Sequence, residues 1–308
     1  MPVLARTRAA LLMISASLLL SMVPVFVKII PEGSGIPVEE KIFARALVSL
    51  LITGVAMMRG GESLRPRCVR LVILRSVLGA AGMILYFTAV EGLQLSEAVT
   101  LNRLSPFFVL LFAALFLREK LVVWQVIAMI LAFLGAVVIL QPGRVPITGA
   151  GIVALLSAVT AGGAYTTLRA LGKHDPPIRI VFWFSLVLTV LFLPATIVKG
   201  VVPAPAEAAA LLGIGAAGAA GQLLMTAAYR HAPGGEVAIY GYLSVVYASV
   251  WQPLFFGSRP GSAILLGTLL VIMAGLLNYI AAMGKPGIRG FLSGVPGFGG
   301  TVSGKGID

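Results

Sequence analysis

The sequence predicts an all-α membrane protein in which ten transmembrane helices form two inverted five-helix repeats. Three observations lead there. Only 11% of the 308 residues are charged and 59% are hydrophobic, whereas a soluble domain carries about 25% charge. The apolar residues are gathered into ten runs, each near the roughly 20 residues that a helix needs to cross a bilayer. Sliding the chain by 139 residues lays "GAAGMILYFTAVEGLQLSEAVTLNRLS" (79–105) over "GAAGQLLMTAAYRHAPGGEVAIYGYLS" (218–244) without a gap, and Gly79, Gly82, Glu97 and Ser105 recur at Gly218, Gly221, Glu236 and Ser244.

The first run, in "MPVLARTRAALLMISASLLLSMVPVFVKII", follows a basic start, but its apolar stretch of about 19 residues exceeds the roughly 7–15 of a secretory signal. It is expected to stay as a spanning helix. Spans are expected at 9–30, 38–58, 69–90, 97–117 and 121–140, then at 149–171, 177–198, 206–229, 236–256 and 262–283. The links between them ("PEGSGIP", "RGGESLRPR", "PGRVP", "KHDPP", "KGVVPAP", "APGG") carry the Gly and Pro that end helices. Residues 9–140 thus form a first repeat and 149–283 a second. The Gly-rich tail 284–308 holds too little apolar surface to pack and is expected to be disordered.

The net charge of +12 does not point to nucleic acid, because the basic residues sit singly between apolar runs rather than in solvated blocks. Their distribution sets orientation instead. With the N-terminus inside, fifteen Lys and Arg fall at the cytoplasmic ends and five at the outer ends, so both termini are expected in the cytoplasm of a multi-pass protein of the cell's inner membrane. Five spans per repeat is an odd number, so the second repeat enters from the opposite side. Inverted repeats that meet near the midplane are the architecture of secondary transporters. Cys68 is the single cysteine, which leaves no intrachain disulfide.

Motifs for other chemistries fail on context. "GIGAAG" (213–218) matches a dinucleotide fingerprint in letters, but it lies inside a membrane-length run with no strand before it, where small residues let helices approach. His174 and His231 have no acidic or Cys neighbours at ligand spacing, so no metal is expected. The two aspartates, Asp175 and Asp308, do not make the paired clusters of a Mg²⁺ diphosphate enzyme. No cofactor is implied.

Residues 74–121, "LRSVLGAAGMILYFTAVEGLQLSEAVTLNRLSPFFVLLFAALFLREKL", resemble the third and fourth helices of EamA-type proteins of the drug/metabolite transporter superfamily, in the Ala-rich entry, the Ser-Pro step and the terminal Leu-x-Glu. "GQLLMTAAYRHAPGGEVAIYGYLSVVYASVWQPLFFGSRPGSAILLGTLLVIMAGLL" resembles the matching part of the second repeat, and "FAR" with Arg45 is similar to the family's aromatic-x-Arg step. The resemblance covers about residues 9–283. It implies a ten-helix exporter or exchanger of small metabolites with a cavity lined by helices three, four, eight and nine. One departure stands out. Where the family's second repeat often ends in Gly-Glu, this chain has Gly257, Ser258 and Arg259.

Candidate site residues are the polar groups at membrane depth, where a charge costs about 2.5–3.5 kcal/mol on insertion scales and normally faces a bundle interior. Asn102 and Arg103 precede Pro106, which donates no backbone hydrogen bond and so marks a break in helix four. Successive residues diverge by about 100°, so Asn102 and Arg103 do not face one wall. Arg103 is read either as a site residue or as a snorkelling anchor. Opposite, the second repeat offers Tyr240 and Tyr242 and a stripe of Gln222 and Thr226 on helix eight, and Tyr86 adds a hydroxyl on helix three. Glu97 is a candidate for coupling or a helix-start residue beside Ser96. Arg45 with Glu39, Glu40 and Lys41 is a candidate gate at the outer end of helix two. The expected function is a secondary transporter of a small polar metabolite, with protons or a counter-substrate as candidate coupling partners. A channel, an assembly subunit and an intramembrane enzyme are the alternatives.

Overall fold

The computed structural model describes residues 3–117, 123–141, 149–171, 175–231 and 240–283. The helices are α1 (Val3–Ile29), α2 (Val38–Gly60), α3 (Val69–Gly92), α4 (Leu95–Asn102), α5 (Ser105–Leu117), α6 (Val123–Leu140), α7 (Gly149–Leu171), α8 (Pro177–Lys199), α9 (Pro205–His231), α10 (Leu243–Phe256) and α11 (Ser262–Met283). Nine described segments are long and apolar enough to cross a membrane. The fold is the ten-span, all-α arrangement that the sequence predicts: α4 and α5 together make span four, and residues 240–256 make span nine. The tail 284–308, His174, Glu236 and the side chain of Thr226 lie outside the described residues.

Local chemistry explains the ends. Pro37 and Pro176 precede α2 and α8 in extended conformation, because the proline ring fixes φ and lacks the N–H that a helix start leaves unused anyway. Gly257 closes α10 at φ 65°, and its N–H reaches the Pro253 carbonyl; only glycine takes that left-handed turn without a Cβ clash. Helix α1 begins before residue 9 since nothing in its basic first turns breaks a helix, which runs on past its apolar stretch.

Packing shows the inverted symmetry. The relation of 139 residues exchanges span one with six, two with seven, three with eight, four with nine and five with ten. Under it the contact of α1 with α9 becomes that of α7 with α3, and both are among the most extensive in the molecule. Three further contacts, α2 with α8, α6 with α11 and α4 with α10, each join a helix to its own equivalent. Pairs of equivalents lie on the pseudo-two-fold axis. Each helix therefore finds its main partner in the other repeat, and the halves share one core through Phe87, Phe107, Leu188 and Ile214. Leu115, Phe116, Ile197 and Leu254 point outward, toward lipid in a membrane.

Candidate functional site

At the axis, α2, α3, α8 and α9 leave a small cleft. Its lining comes in equivalent pairs: Arg45 with Phe184, Ala46 with Ser185, Ser49 with Leu188, and Met83 with Gln222, each separated by 139 residues. The two walls match in position and differ in chemistry. One wall brings a guanidinium, a hydroxyl and a thioether; the other brings an aromatic ring, a hydroxyl, an aliphatic chain and an amide.

Arg45 is aimed into this space rather than at the outer entrance. Its Nη1 donates to the Met83 sulfur at 3.1 Å, a weak acceptor. The approach depends on Gly218, where a Cβ would stand 2.7 Å from the Arg45 Nε. Here the third glycine of "GIGAAG" has a use, and Gly213 likewise seats Phe26. The other charges at the start of α2 go elsewhere: Lys41, which is buried, pairs with Glu91 at 2.5 Å, and Glu40 accepts from the Val201 N–H at 3.1 Å.

Behind Phe184 lies Arg75 of α3, buried, with its guanidinium carbon 4.3 Å from the ring centroid. Such cation–π stacking is worth about 2 kcal/mol when desolvated. The Arg75 Nε has no hydrogen-bond partner among the described residues. Tyr86, half-buried, lies within electrostatic reach of Arg45 and Arg103, and Tyr165 within reach of Arg45 and Arg75.

The polar residues of the two helix breaks do not line the cleft. Asn102 Nδ2 donates to Ser157 Oγ of α7 at 3.0 Å, whereas Arg103 Nε donates to Ser244 Oγ of α10 at 2.7 Å. The neighbours thus reach different partners. Arg103 and Leu104 leave the helix at the first break and Tyr242 at the second; Arg103 and Tyr242 are equivalents under the repeat, so the breaks coincide in register. Where Pro106 has no N–H, its equivalent Val245 donates to the Tyr242 carbonyl at 2.9 Å. The second break forms without proline because hydroxyls cap its carbonyls: Ser17 donates to the Tyr240 oxygen and Ser244 to the Gly241 oxygen, both at 2.9 Å. Tyr240 packs with Met13 and Met225. The Tyr242 ring covers Gly275 of α11, where a Cβ would be 2.5 Å away. Neither tyrosine lines the cleft. Glu97 sits in the first turn of α4 against the Gln94 backbone N–H, with the charge of Lys28 nearby, as a helix-start carboxylate does.

Sequence reasoning did not single out Arg75, Phe184 or Gln252. A signal for the first existed. Of 23 Lys and Arg, all but Arg45, Arg75 and Arg103 fall near span ends, in the links or in the tail. Phe184 was reachable as the 139-residue equivalent of Arg45. Gln252 carried no such signal; its Oε1 accepts from Leu95 N–H at 2.6 Å, and its Nε2 donates to Ser258 Oγ at 2.6 Å. Ser258 is one of the residues standing in place of the family's Gly-Glu. Among the described residues no group of three His, Cys, Asp or Glu could hold a metal.

Inverted five-helix repeats closed around an axial cleft define a multi-pass membrane transporter. The model of the EamA-like transporter family matches residues 7–141 and again 149–280; the chain belongs to this family, and is a transporter rather than an enzyme. It is 33% identical over 269 residues to the pseudopaline exporter CntI of Pseudomonas aeruginosa, covering 86% of this chain and 93% of that one. A riboflavin transporter of Brucella anthropi is 27% identical, over 78% and 89% of the two chains. Human solute carrier family 35 member G1 is 26% identical, over 83% and 74%. A solved crystal structure superposes on 90% of this chain and 98% of its own with TM-score 0.64 and 16% identity, a likeness of fold.

Proposed function

We propose that the chain is a secondary transporter that exports or exchanges a small polar metabolite, such as an amino acid, a nucleoside or a derivative, by alternating access across the cell's inner membrane. The observation that carries this reading is the lining of the cleft by equivalent positions of two inverted repeats. A site on the pseudo-two-fold axis is presented to one side or the other as residues 9–140 rock against 149–283. In this reading both termini are cytoplasmic, and Arg45 and Gln222 contact the solute from opposite repeats with Tyr86 beside them, and Thr226, four residues on from Gln222 in the same helix, is a further candidate contact. Asn102, Arg103, Tyr240 and Tyr242 belong to the helix breaks that bend as the cleft opens, and Glu97 is the candidate for proton coupling. The names of the relatives, a pseudopaline exporter and a riboflavin transporter, support a metabolite as cargo.

The test is solute counterflow in liposomes containing the purified protein. A carrier gives uptake that saturates and is stimulated by solute on the far side, and Gln222→Ala weakens binding by about 1–3 kcal/mol through lost hydrogen bonding at an unchanged yield of folded protein. Uptake that neither saturates nor exchanges would instead mean a channel.

A further inference from the structure

Arg45 and Arg75 flank one ring, Phe184. Arg45 lines the cleft from the wall opposite it, and Arg75 stacks on it. Each charge lies within electrostatic reach of the other. Among the described residues no carboxylate is within ion-pair distance of either; the ion pairs present engage Lys41 and Arg179. The partners they do have are a thioether, an aromatic face and distant tyrosine hydroxyls, none of which carries a negative charge. Two like charges held at membrane depth are normally paired, and an uncompensated pair of cations is the signature of a site for an anion.

We infer, building on the transporter reading, that the cleft binds its solute through a carboxylate: the Arg45 guanidinium grips both oxygens, and Arg75 behind Phe184 supplies a second positive charge. The planar fork of arginine matches the spacing of carboxylate oxygens. Around it the cleft offers few further donors, Ser49, Ser185 and Gln222, amid Met83, Phe184 and Leu188. Phosphate, with three charged oxygens to satisfy, is held where backbone N–H groups converge. The cleft is walled by the middles of helices, whose N–H groups are already bonded. A carboxylate on a partly apolar body fits both the charge and the lining.

The experiment measures thermal stabilisation of the purified full chain by a panel of small carboxylic acids (glutarate, 2-oxoglutarate, phenylpyruvate, N-acetylglutamate), by the primary amides of the same skeletons and by glycerol 3-phosphate. At least one acid is expected to raise the unfolding midpoint, and its amide to fail. Arg45→Gln should weaken that acid at least tenfold, with Arg45→Lys between Arg45→Gln and the wild type. Gly218→Ala keeps every charge and the helix, yet crowds the Arg45 Nε, and should weaken the acid severalfold. Arg75→Gln should weaken it less than Arg45→Gln. Amides that stabilise as well as acids, glycerol 3-phosphate that outperforms every acid, no shift with any acid, or unchanged acid binding in both folded Arg45→Gln and Gly218→Ala would each overturn the carboxylate site. Counterflow separates this from the transporter reading. A neutral solute that counterflows equally in wild type and Arg45→Gln removes the carboxylate site and leaves the transporter, whereas acids that stabilise through Arg45 without counterflow keep the site and remove the transporter.

Discussion

The two ends of the molecule are held by the same positions with opposite chemistry. At one end Glu40, early in α2, accepts from the backbone N–H of Val201 in the link between α8 and α9. At the other end Arg179, early in α8, reaches the link between α2 and α3, where it meets Glu62 at 3.4 Å and the Ser63 carbonyl at 2.6 Å. Residues 40 and 179 are equivalents under the 139-residue relation, and so are 62 and 201. Each repeat clasps the other with the first turn of its second helix. The Arg179 clasp is much the larger: it also pairs with buried Asp175 at 2.9 Å, whose carboxylate accepts from the Arg67 N–H, while Trp183 donates to the Leu64 carbonyl at 2.6 Å. What the repeat preserves is therefore a mechanical role at a position. The side chain filling it is free to change, and with it the strength of closure at each face.

The comparison fails altogether if the two clasps are on the same side of the membrane. Reporter fusions after residues 60, 174 and 285 are expected to give cytoplasmic signals, and an external signal from one or two of them would break the inverted relation. Next in size is Arg179→Gln. Removing this cation leaves Asp175 buried and uncompensated, a change that costs about 3–5 kcal/mol, and the exposed side of the Glu62 pair adds little. Thermal unfolding in detergent measures the loss. Cys68, partly exposed at the start of α3 beside this clasp, gives an independent reading: its alkylation by an impermeant maleimide should accelerate, about tenfold for each 1.4 kcal/mol removed from the closed clasp.

Much of this architecture was legible in the letters, and the part that was not has a common cause. Span limits followed from apolar run length, which lipid enforces directly, and the break before Pro106 followed from a missing N–H. The break at Tyr242 was hidden because it is made by hydroxyls of Ser17 and Ser244, residues with no local signature. Arg103 and Asn102 were visible as polar groups at depth, but their partners Ser244 and Ser157 belong to other helices. Periodicity reports that a face is buried, not against what. The repeat relation is the one long-range signal a single sequence holds. Carried through residue by residue, it would have paired Arg45 with Phe184 and Glu40 with Arg179.

Gln252 sharpens the contrast between the ends. It joins α10 to the start of α4 and has no counterpart in the first repeat, where Ala113 occupies the equivalent position. If closure on the Glu40 side leans on this residue, Gln252→Leu should destabilise by about 1–3 kcal/mol, since the buried Leu95 N–H loses its acceptor. A change below about 0.5 kcal/mol in the unfolding midpoint analysis would mean that the N–H finds another acceptor, as membrane hydrogen bonds often do.

The smallest effect is expected at Glu40 itself. Its bond to Val201 is a single contact from a carboxylate to one N–H, and in Glu40→Gln the amide oxygen can accept the same bond without charge, so about 1 kcal/mol or less is at stake. Unfolding temperature should barely move. Transport is the more sensitive readout, because a weaker clasp at one face shifts the balance between the two open states even when the fold is intact, and a shift of about 1 kcal/mol alters that ratio roughly fivefold. Glu40→Gln should therefore change the apparent affinity measured from one side of the liposome and change it in the opposite sense from the other. Arg179→Gln should give the reverse asymmetry, and the same direction of change in both variants would show that the two clasps do not oppose each other.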